Sequence, residues 1–140
     1  MADTFTIEIA TPERMLSREQ AVRAQIPAKE GYIGVLPGHA ALLSELGIGA
    51  LTYVTPEDHT HSIAIKGGYL EILNDNVRVL SDIAEKGHEI DATQAEKELR
   101  QAQADMLNPG FGIDIASALT ASLHAQARID AARKSANKEE

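Results

Sequence analysis

The first half of the chain alternates apolar and polar residues in the way that is typical of β-strands. Residues 5–9 and residues 22–26 each follow this period of two, and Pro27 is expected to stop the second run. Residues 71–80 hold two alternating runs around an Asn/Asp cluster, which predicts a β-hairpin. We therefore predict an α+β protein whose residues 1–86 form an antiparallel, flattened β-sandwich or barrel.

The period changes to that of α-helices after residue 90. Asp91 is placed to cap a first helix, with Gln94 completing a capping box, and Asp114 is placed to cap a second. Apolar and alanine residues recur at helical spacing at positions Ala95, Leu99, Ala102 and Met106, then Ile115, Ala118, Ser122, Ala125, Ile129, Ala132 and Ala136. Since about six residues join the helices, we predict an antiparallel helical hairpin over residues 87–140, called the arm below.

The arm is unusually rich in alanine. Twelve of residues 91–140 are alanine, a residue that favours helix but buries little apolar area at ~25 cal/mol/Å². Two helices of this kind are individually persistent and weakly attached to a neighbour. This composition suggests the hypothesis that the arm can leave the sandwich without unfolding.

Residues 31–49 form a stretch punctuated by five glycines. Glycine permits positive φ or close approach of another chain, and Pro37-Gly38 is a typical turn dipeptide. Such a turn sets His39 at the rim of the core. Two interpretations stay open from the residues alone: an ordinary turn-rich β segment, or a surface that contacts another protein.

Composition and charge narrow the function classes. The 140 residues include no cysteine and carry a net charge of −8, which excludes disulfides and disfavours sequence-independent nucleic-acid binding. The first residues lack signal-peptide features, and no apolar run approaches the ~20 residues of a membrane span. We therefore expect contact with a membrane only through partner proteins. Residues 115–138 carry a local balance of +3, which favours an acidic partner.

The sequence shows no catalytic motif of a nucleophilic or phosphate-binding enzyme. His59 and His61 could begin a metal site, and a metal-dependent β-sandwich enzyme is one alternative, although a third ligand is not evident. The turn residues before them favour an exposed hairpin tip instead. An interaction module is the leading interpretation at this point.

The sequence resembles the epsilon subunit of F-type ATP synthases, which is the counterpart of the mitochondrial delta subunit. The resemblance runs over the whole chain and is carried by Glu30-Gly31, Gly34-Val35-Leu36-Pro37-Gly38-His39-Ala40, Leu42-Leu43, Gly67-Gly68-Tyr69-Leu70-Glu71, Asn76-Val77-Arg78-Val79-Leu80 and Ala84-Glu85. It implies a ten-stranded sandwich followed by a helical hairpin.

The resemblance also implies a role. The chain would be a non-catalytic central-stalk subunit of a proton-translocating ATP synthase, coupling the catalytic head to the membrane c-ring and contacting the gamma subunit. The rotor interface with the c-ring would include Glu30, Gly31, Tyr32, Pro37, Gly38 and His39. It would work as a peripheral protein on the cytoplasmic face of a bacterial inner membrane.

In this family the arm lies folded beside the sandwich or extends into the catalytic hexamer of alpha and beta subunits, where it inhibits ATP hydrolysis. Basic residues late in the second helix then meet an acidic segment of the beta subunit. The resemblance gives that role to Arg128, Arg133 and Lys134.

Some members bind ATP in the folded hairpin through an I/L-D-x-x-R-A motif together with arginines of the second helix. The matching segment here is Ile90 to Ala95, with Gln94 in place of the arginine. The corresponding nucleotide-binding candidates are Asp91, Gln94, Arg100 and Arg128. Because neutral Gln94 cannot supply a charge-assisted phosphate contact, we expect no bound cofactor. A nucleotide-sensing module whose hairpin closes over ATP is the alternative function.

Overall fold

The computed structural model describes residues 3–138, with side chains described through Ser135. It contains eight strands, a short 3-10 helix at Gly87–Glu89 and two α-helices. The elements are β1 Phe5–Ala10, β2 Met15–Ala21, β3 Arg23–Ala28, β4 Gly31–Val35, β5 Leu42–Glu45, β6 Ile48–Val54, β7 Thr60–Leu73, β8 Asn76–Lys86, α1 Ala92–Leu107 and α2 Ile115–Lys138.

The eight strands form one hydrogen-bonded sheet that folds over on itself. Its strand order is β2-β1-β8-β7-β6-β3-β4, and β5 pairs with β7 off this path. Among these described strands, β1 and β8 pair in parallel, and the other pairs are antiparallel. The sandwich of the α+β expectation is therefore confirmed, with one parallel pair inside it.

Strand β7 serves both layers of the sandwich because it bends at Gly67-Gly68. These residues have φ of +70° and +111°, a conformation that side chains with a Cβ rarely adopt. Before the bend, β7 pairs with β6, and after it with β5. Layer one thus holds β2, β1, the start of β8, the end of β7, and β5. Layer two holds the end of β8, the start of β7, β6, β3 and β4.

The bend also explains the strand count. The resemblance implied ten strands, whereas the described residues form eight. β7 has 14 residues and β8 has 11, and each runs continuously through both layers. Counting each of them once per layer gives ten strands, so the difference arises only because two strands continue through the bend.

The hydrophobic core lies between the two layers. It combines inward positions of all the strands except β5, whose Leu42 packs against it at the rim. Fully buried large side chains include Ile7 and Ile9 of layer one and Ile26, Leu51 and Ile65 of layer two. Each contributes about 1.5–3 kcal/mol by leaving water, so this core dominates the stability of the chain.

Two strand predictions required correction. Strand β2 was not predicted, because its residues 17–20 are all polar. Pro27 does not stop β3, which continues to Ala28 and pairs Pro27 with Tyr32 of β4. The Pro27 carbonyl accepts a bond from the Gly47 N–H, so the missing N–H of Pro27 faces the side where the β3–β6 ladder has already ended.

Both predicted N-caps are confirmed, but the bond from the Gln94 side chain that would complete the capping box is not among the hydrogen bonds of the described residues. The Asp91 carboxylate accepts a hydrogen bond from the Gln94 N–H at 3.1 Å, and that of Asp114 accepts one from the Ala116 N–H at 3.1 Å. The 16 residues of α1 and 24 residues of α2 span about 24 and 36 Å at ~1.5 Å per residue. The predicted α2 seam is wrong at Ile115, which is 54% exposed. Its last member, Ala136, has a side chain outside the described residues.

The arm lies against the outer face of layer two, with α2 between α1 and the sheet. Ala127 and Ala131 of α2 pack on Ala50 of β6 and Ala64 of β7 in one small buried cluster. The Ser62 hydroxyl donates to the Ala131 carbonyl at 2.6 Å. A Cβ added at Gly87 would overlap that same carbonyl. Small residues on both sides therefore allow α2 to approach the sheet closely, and the contact buries a small apolar cluster.

Candidate functional site

Among the glycines of residues 31–49, two adopt positive φ and two allow close packing within the chain itself. Gly31 and Gly38 have positive φ, +132° and +84°, and open space where a Cβ would stand. A Cβ on Gly47 would lie 2.6 Å from the Ala28 carbonyl oxygen, and one on Gly49 would lie 2.5 Å from the Tyr32 hydroxyl. The expectation that these glycines admit another chain is wrong for Gly47 and Gly49, because Ala28 and Tyr32 already occupy the space.

The turn that carries His39 is tied to the β7–β8 hairpin. The Gly38 N–H donates to the Asp75 carboxylate at 2.7 Å, and the His39 Nδ1 lies 2.7 Å from the Ala40 carbonyl oxygen. Asn74 and Asp75 both have positive φ, 50° and 59°, which suits a two-residue hairpin turn. His39 is half-buried and held in place by these contacts.

The predicted rotor-interface residues fall into two patches at opposite ends of β4. The first patch lies at the β3–β4 turn and the start of β4 and consists of Glu30, Gly31 and Tyr32. The second lies in the turn after β4 and consists of Pro37, Gly38 and His39. The five residue steps from Tyr32 to Pro37 hold the nearest members of the two patches at most about 17 Å apart at ~3.3 Å per residue. The Tyr32 hydroxyl accepts a bond from the Ala50 N–H at 3.1 Å, which fixes that ring across the sheet.

The outer face of layer one presents apolar side chains that the arm does not cover. Tyr69 of β7 stands opposite Leu80 of β8, with exposed fractions of 57% and 46%. Leu43 of β5 and Leu73 of β7 are also exposed. We did not predict this face from the sequence. The available signal was apolar residues at the outward positions of the alternating hairpin.

Arg128 joins α2 to both α1 and the sheet. Its side chain is 13% exposed and donates to both oxygens of Glu85, at 2.8 and 3.3 Å, and to Glu98 at 2.7 Å. Glu85 lies on β8 and Glu98 on α1, so the guanidinium joins three elements. We call these three residues the Arg128 clasp. Bidentate pairing of this kind is stronger than an ordinary surface ion pair.

The three basic residues predicted for the inhibitory contact are not equivalent. Arg128 is engaged in the clasp, whereas Arg133 and Lys134 are exposed on α2. Exposed apolar side chains follow the other end of the same helix at i, i+4 and i+8 spacing: Ile115, Leu119 and Leu123. The docked arm thus leaves one basic pair and one apolar stripe uncovered.

The chain matches known proteins over nearly its whole length. A family model described as "ATP synthase, Delta/Epsilon chain, beta-sandwich domain" matches residues 4–87. A protein of Solibacter usitatus named ATP synthase epsilon chain is 52% identical over 96% of this chain and 99% of its own length. The same name is carried by a protein of Desulfitobacterium hafniense, 38% identical over 95% of this chain and 99% of its own.

This chain belongs to the ATP synthase epsilon-chain family. The family match confirms the resemblance seen in the sequence. Members of this family are non-catalytic subunits of the ATP synthase complex. A chain in a structure of the Euglena gracilis mitochondrial ATP synthase superposes with a TM-score of 0.78 at 22% identity, covering 93% of this chain and 81% of that one. A chain of the Tetrahymena thermophila central stalk and c-ring gives 0.51 at 13% identity, with 93% and 94% covered. These two likenesses establish the fold.

The nucleotide-binding candidates of this epsilon-family chain do not form a cluster. Asp91 is engaged as the α1 cap, Gln94 and Arg100 are exposed on α1, and Arg128 is engaged in its clasp. Arg100 lies two residues beyond Glu98, about 200° around the helix from the side that faces the clasp. The four side chains therefore do not converge on one ligand in the docked arm, and Arg128 is free to meet a ligand only after it leaves the clasp.

The two histidines considered as metal ligands have different surroundings. His59 belongs to the exposed turn before β7, and His61 stacks on the Tyr53 ring with centroids 5.0 Å apart. Within residues 3–138 no group of three metal-type side chains comes together. Nor is any helix in that range long and apolar enough to cross a membrane.

The Arg128 clasp supplies a first testable prediction. Replacing Arg128 by Met keeps the apolar stem and removes the charge, and we expect docking of the arm to weaken by about 1–2 kcal/mol. That loss corresponds to roughly five- to thirtyfold more of the detached arm. Labelling of a cysteine introduced at buried Ala127 measures it, because the thiol reacts only while the arm is detached.

The matched control is Arg133→Met, which removes an exposed charge from the same helix and should leave the labelling rate unchanged. Equal labelling rates in the two variants would show that the clasp does not hold the arm.

Proposed function

We propose that the chain is a central-stalk rotor subunit of a proton-translocating F-type ATP synthase and that its arm restrains ATP hydrolysis. The observation that carries this proposal is family membership over almost the full length, with 52% identity to an epsilon chain. The two structural likenesses support it, since both assemblies contain a c-ring. We propose its specific contacts from the surfaces that it exposes.

The outer face of layer one is the surface proposed for the gamma subunit. It is an exposed apolar face on a strongly acidic chain, and exposed apolar patches of this kind mark protein interfaces. The arm lies on the opposite layer. A partner can therefore cover layer one while the arm docks or detaches, which is what a regulated rotor subunit needs.

The two patches at the ends of β4 are proposed to share the remaining rotor contacts. Glu30, Gly31 and Tyr32 present a turn with an exposed carboxylate and ring, which suits the polar loops of a c-ring. The patch around His39 lies beside the β7–β8 turn through the Gly38–Asp75 bond. His39 therefore borders the outer face of layer one, which places it nearer the proposed gamma contact than the Glu30 turn.

The arm is proposed to extend into the alpha/beta catalytic head. Its attachment to layer two combines four small alanines, the partly buried Ile48 and Ile90, the Ser62–Ala131 bond and the clasp, so the buried apolar cluster that detachment would expose is small. Arg133 and Lys134, joined by Arg128 once the clasp opens, would meet an acidic surface of the beta subunit. The apolar stripe of Ile115, Leu119 and Leu123 would pack against the same head.

We further propose that the chain works at the cytoplasmic face of a bacterial inner membrane and is held there by its partner subunits. The relatives at 38–52% identity named above come from bacteria. We also propose that the arm does not sense ATP, because Gln94 lacks the motif's charge and Arg128 already holds two carboxylates.

Deleting residues 91–140 tests the arm. We expect the complex assembled with the truncated chain to retain proton-coupled ATP synthesis, because layer one and the β4 patches are intact. Its rate of ATP hydrolysis should rise or stay equal. Failure of the truncated chain to assemble would overturn the idea of a movable arm.

The matched variant keeps the arm and changes Arg133 and Lys134 together to alanine. Both residues are exposed in the docked arm, so docking is unaffected and any rise in hydrolysis reports the contact with the head. Arg128 is left out of this variant because its loss would also open the clasp.

A change of His39 to Glu tests the rotor contact. We expect a loss of ~2 kcal/mol, about thirtyfold in affinity for the rotor, because a new carboxylate would be buried without a partner. The melting temperature of the isolated chain should stay nearly unchanged. His59→Glu, in the exposed turn before β7, is the control and should assemble normally; unfolding of the His39 variant would instead favour a purely structural role.

Calorimetry with Mg-ATP tests the nucleotide alternative. We expect no saturable heat at micromolar ATP with the full chain. The Gln94→Arg variant restores the I-D-x-x-R-A motif and is expected to gain affinity. Micromolar binding by the unaltered chain would contradict the proposal that the arm does not sense ATP.

A further inference from the structure

His124 on α2 carries a polar atom that the docked arm shuts off from water. Its Nε2 is inaccessible to solvent and has no hydrogen-bond partner among the described residues. An imidazole can be neutral with one N–H, whereas the protonated ring carries an N–H on both nitrogens. Protonation in the docked arm would therefore bury an N–H donor that has no acceptor, which is costly.

Charged groups act on His124 from four elements: Lys66 of β7, Glu85 of β8, Glu98 of α1 and Arg128 of α2 itself. The two carboxylates favour a protonated ring, but both already accept bonds from Arg128. Lys66 and Arg128 oppose a further positive charge. The clasp thus uses the acidic groups that would otherwise stabilise an imidazolium.

The physical consequence is a lowered pKa. Burial, and next the Lys66 ammonium, lower the pKa of His124 below its ordinary value of 6.5. In a detached arm the ring is hydrated and regains that ordinary value. The docked arm then binds fewer protons than the detached arm between the two pKa values, so docking is strongest above pH 6.5 and weakens as pH falls through that range.

We propose that His124 is an acid-sensitive latch: the neutral ring permits docking of α2 on β6 and β7, and protonation releases the arm. This rests on the proposed mobility of the arm and adds the signal that controls it. Acidification would favour the extended arm and so restrain ATP hydrolysis.

The experiment measures the detached fraction of the full chain as a function of pH. The chain has no native cysteine, so single cysteines at buried Ala127 and exposed Ala121 report on the same helix. The ratio of their labelling rates with a thiol-specific disulfide reagent cancels the pH dependence of the thiol. We expect the rate for the cysteine that replaces Ala127, divided by the rate for the one that replaces Ala121, to rise by up to about fourfold from pH 7.5 to pH 6. This magnitude follows from the ordinary pKa of 6.5 for the hydrated His124 ring in the detached arm.

Three variants separate the latch from other titrating groups. His124→Gln stays neutral and should make the ratio independent of pH. Lys66→Met removes the opposing cation and should shrink the rise without abolishing it. His88→Gln, in the 3-10 helix that also contacts α2, should keep the full rise.

The outcomes distinguish two failures. A ratio of zero at every pH would show that the arm does not detach, which overturns the movable arm and the latch together. A measurable ratio that does not change with pH, or that keeps its rise in His124→Gln, overturns the latch and leaves the movable arm standing.

Discussion

The bend in β7 at Gly67-Gly68 is the constraint on which the two surfaces of this protein depend. Two successive residues with positive φ let one strand leave layer two and enter layer one without ending. A Cβ at Gly68 would overlap the Leu80 carbonyl of β8, so the bend also needs glycine for close approach. The register of β7 against β8 continues across it. One continuous ladder thus produces two outward faces with different uses.

Those faces differ in what they bury. Ser62, Ala64 and Lys66 alternate outward on the first half of β7, where small side chains allow α2 to approach closely. The second half of β7 turns Tyr69 and Leu73 outward, where the arm does not reach. A stable partner suits the second face because it offers more apolar area. The first face buries a small cluster of four alanines with Ile48 and Ile90 packed against it, which contributes less at ~25 cal/mol/Å² and fits the proposed mobile arm.

Charged groups add to this contact. The Arg128 clasp adds charge-assisted bonds to the Ser62–Ala131 bond, and it occupies the two carboxylates that could otherwise compensate a charge on His124. Under the proposed latch, one proton at His124 would shift the docking equilibrium of the arm. A large leucine interface would have masked such a change.

Local features were predictable because their partners lie nearby in the chain. The Asp91 and Asp114 caps bond within three residues, and the Asn74-Asp75 turn is set by residues that tolerate positive φ. Strand β2 was missed because polar residues occupy most of its length, and its place in the sheet comes from pairing with β1. Pro27 was misjudged because its effect depends on which neighbour its nitrogen faces.

The sequence by itself determined that strands fill the first part of the chain and helices the second, the sandwich-then-hairpin order and the family. Alternation, helical spacing, caps and the glycine motifs lie in adjacent residues. Only the tertiary structure decided how the charged and polar groups are used. In the sequence, Arg128 has no visible partner, whereas in the folded chain it donates to carboxylates 43 and 30 positions away. Gly47 and Gly49 likewise suggested an external partner until Ala28 and Tyr32 were seen against them. Contacts between distant parts of the chain carry no local pattern, since their energy depends on burial and distance that only the folded state supplies.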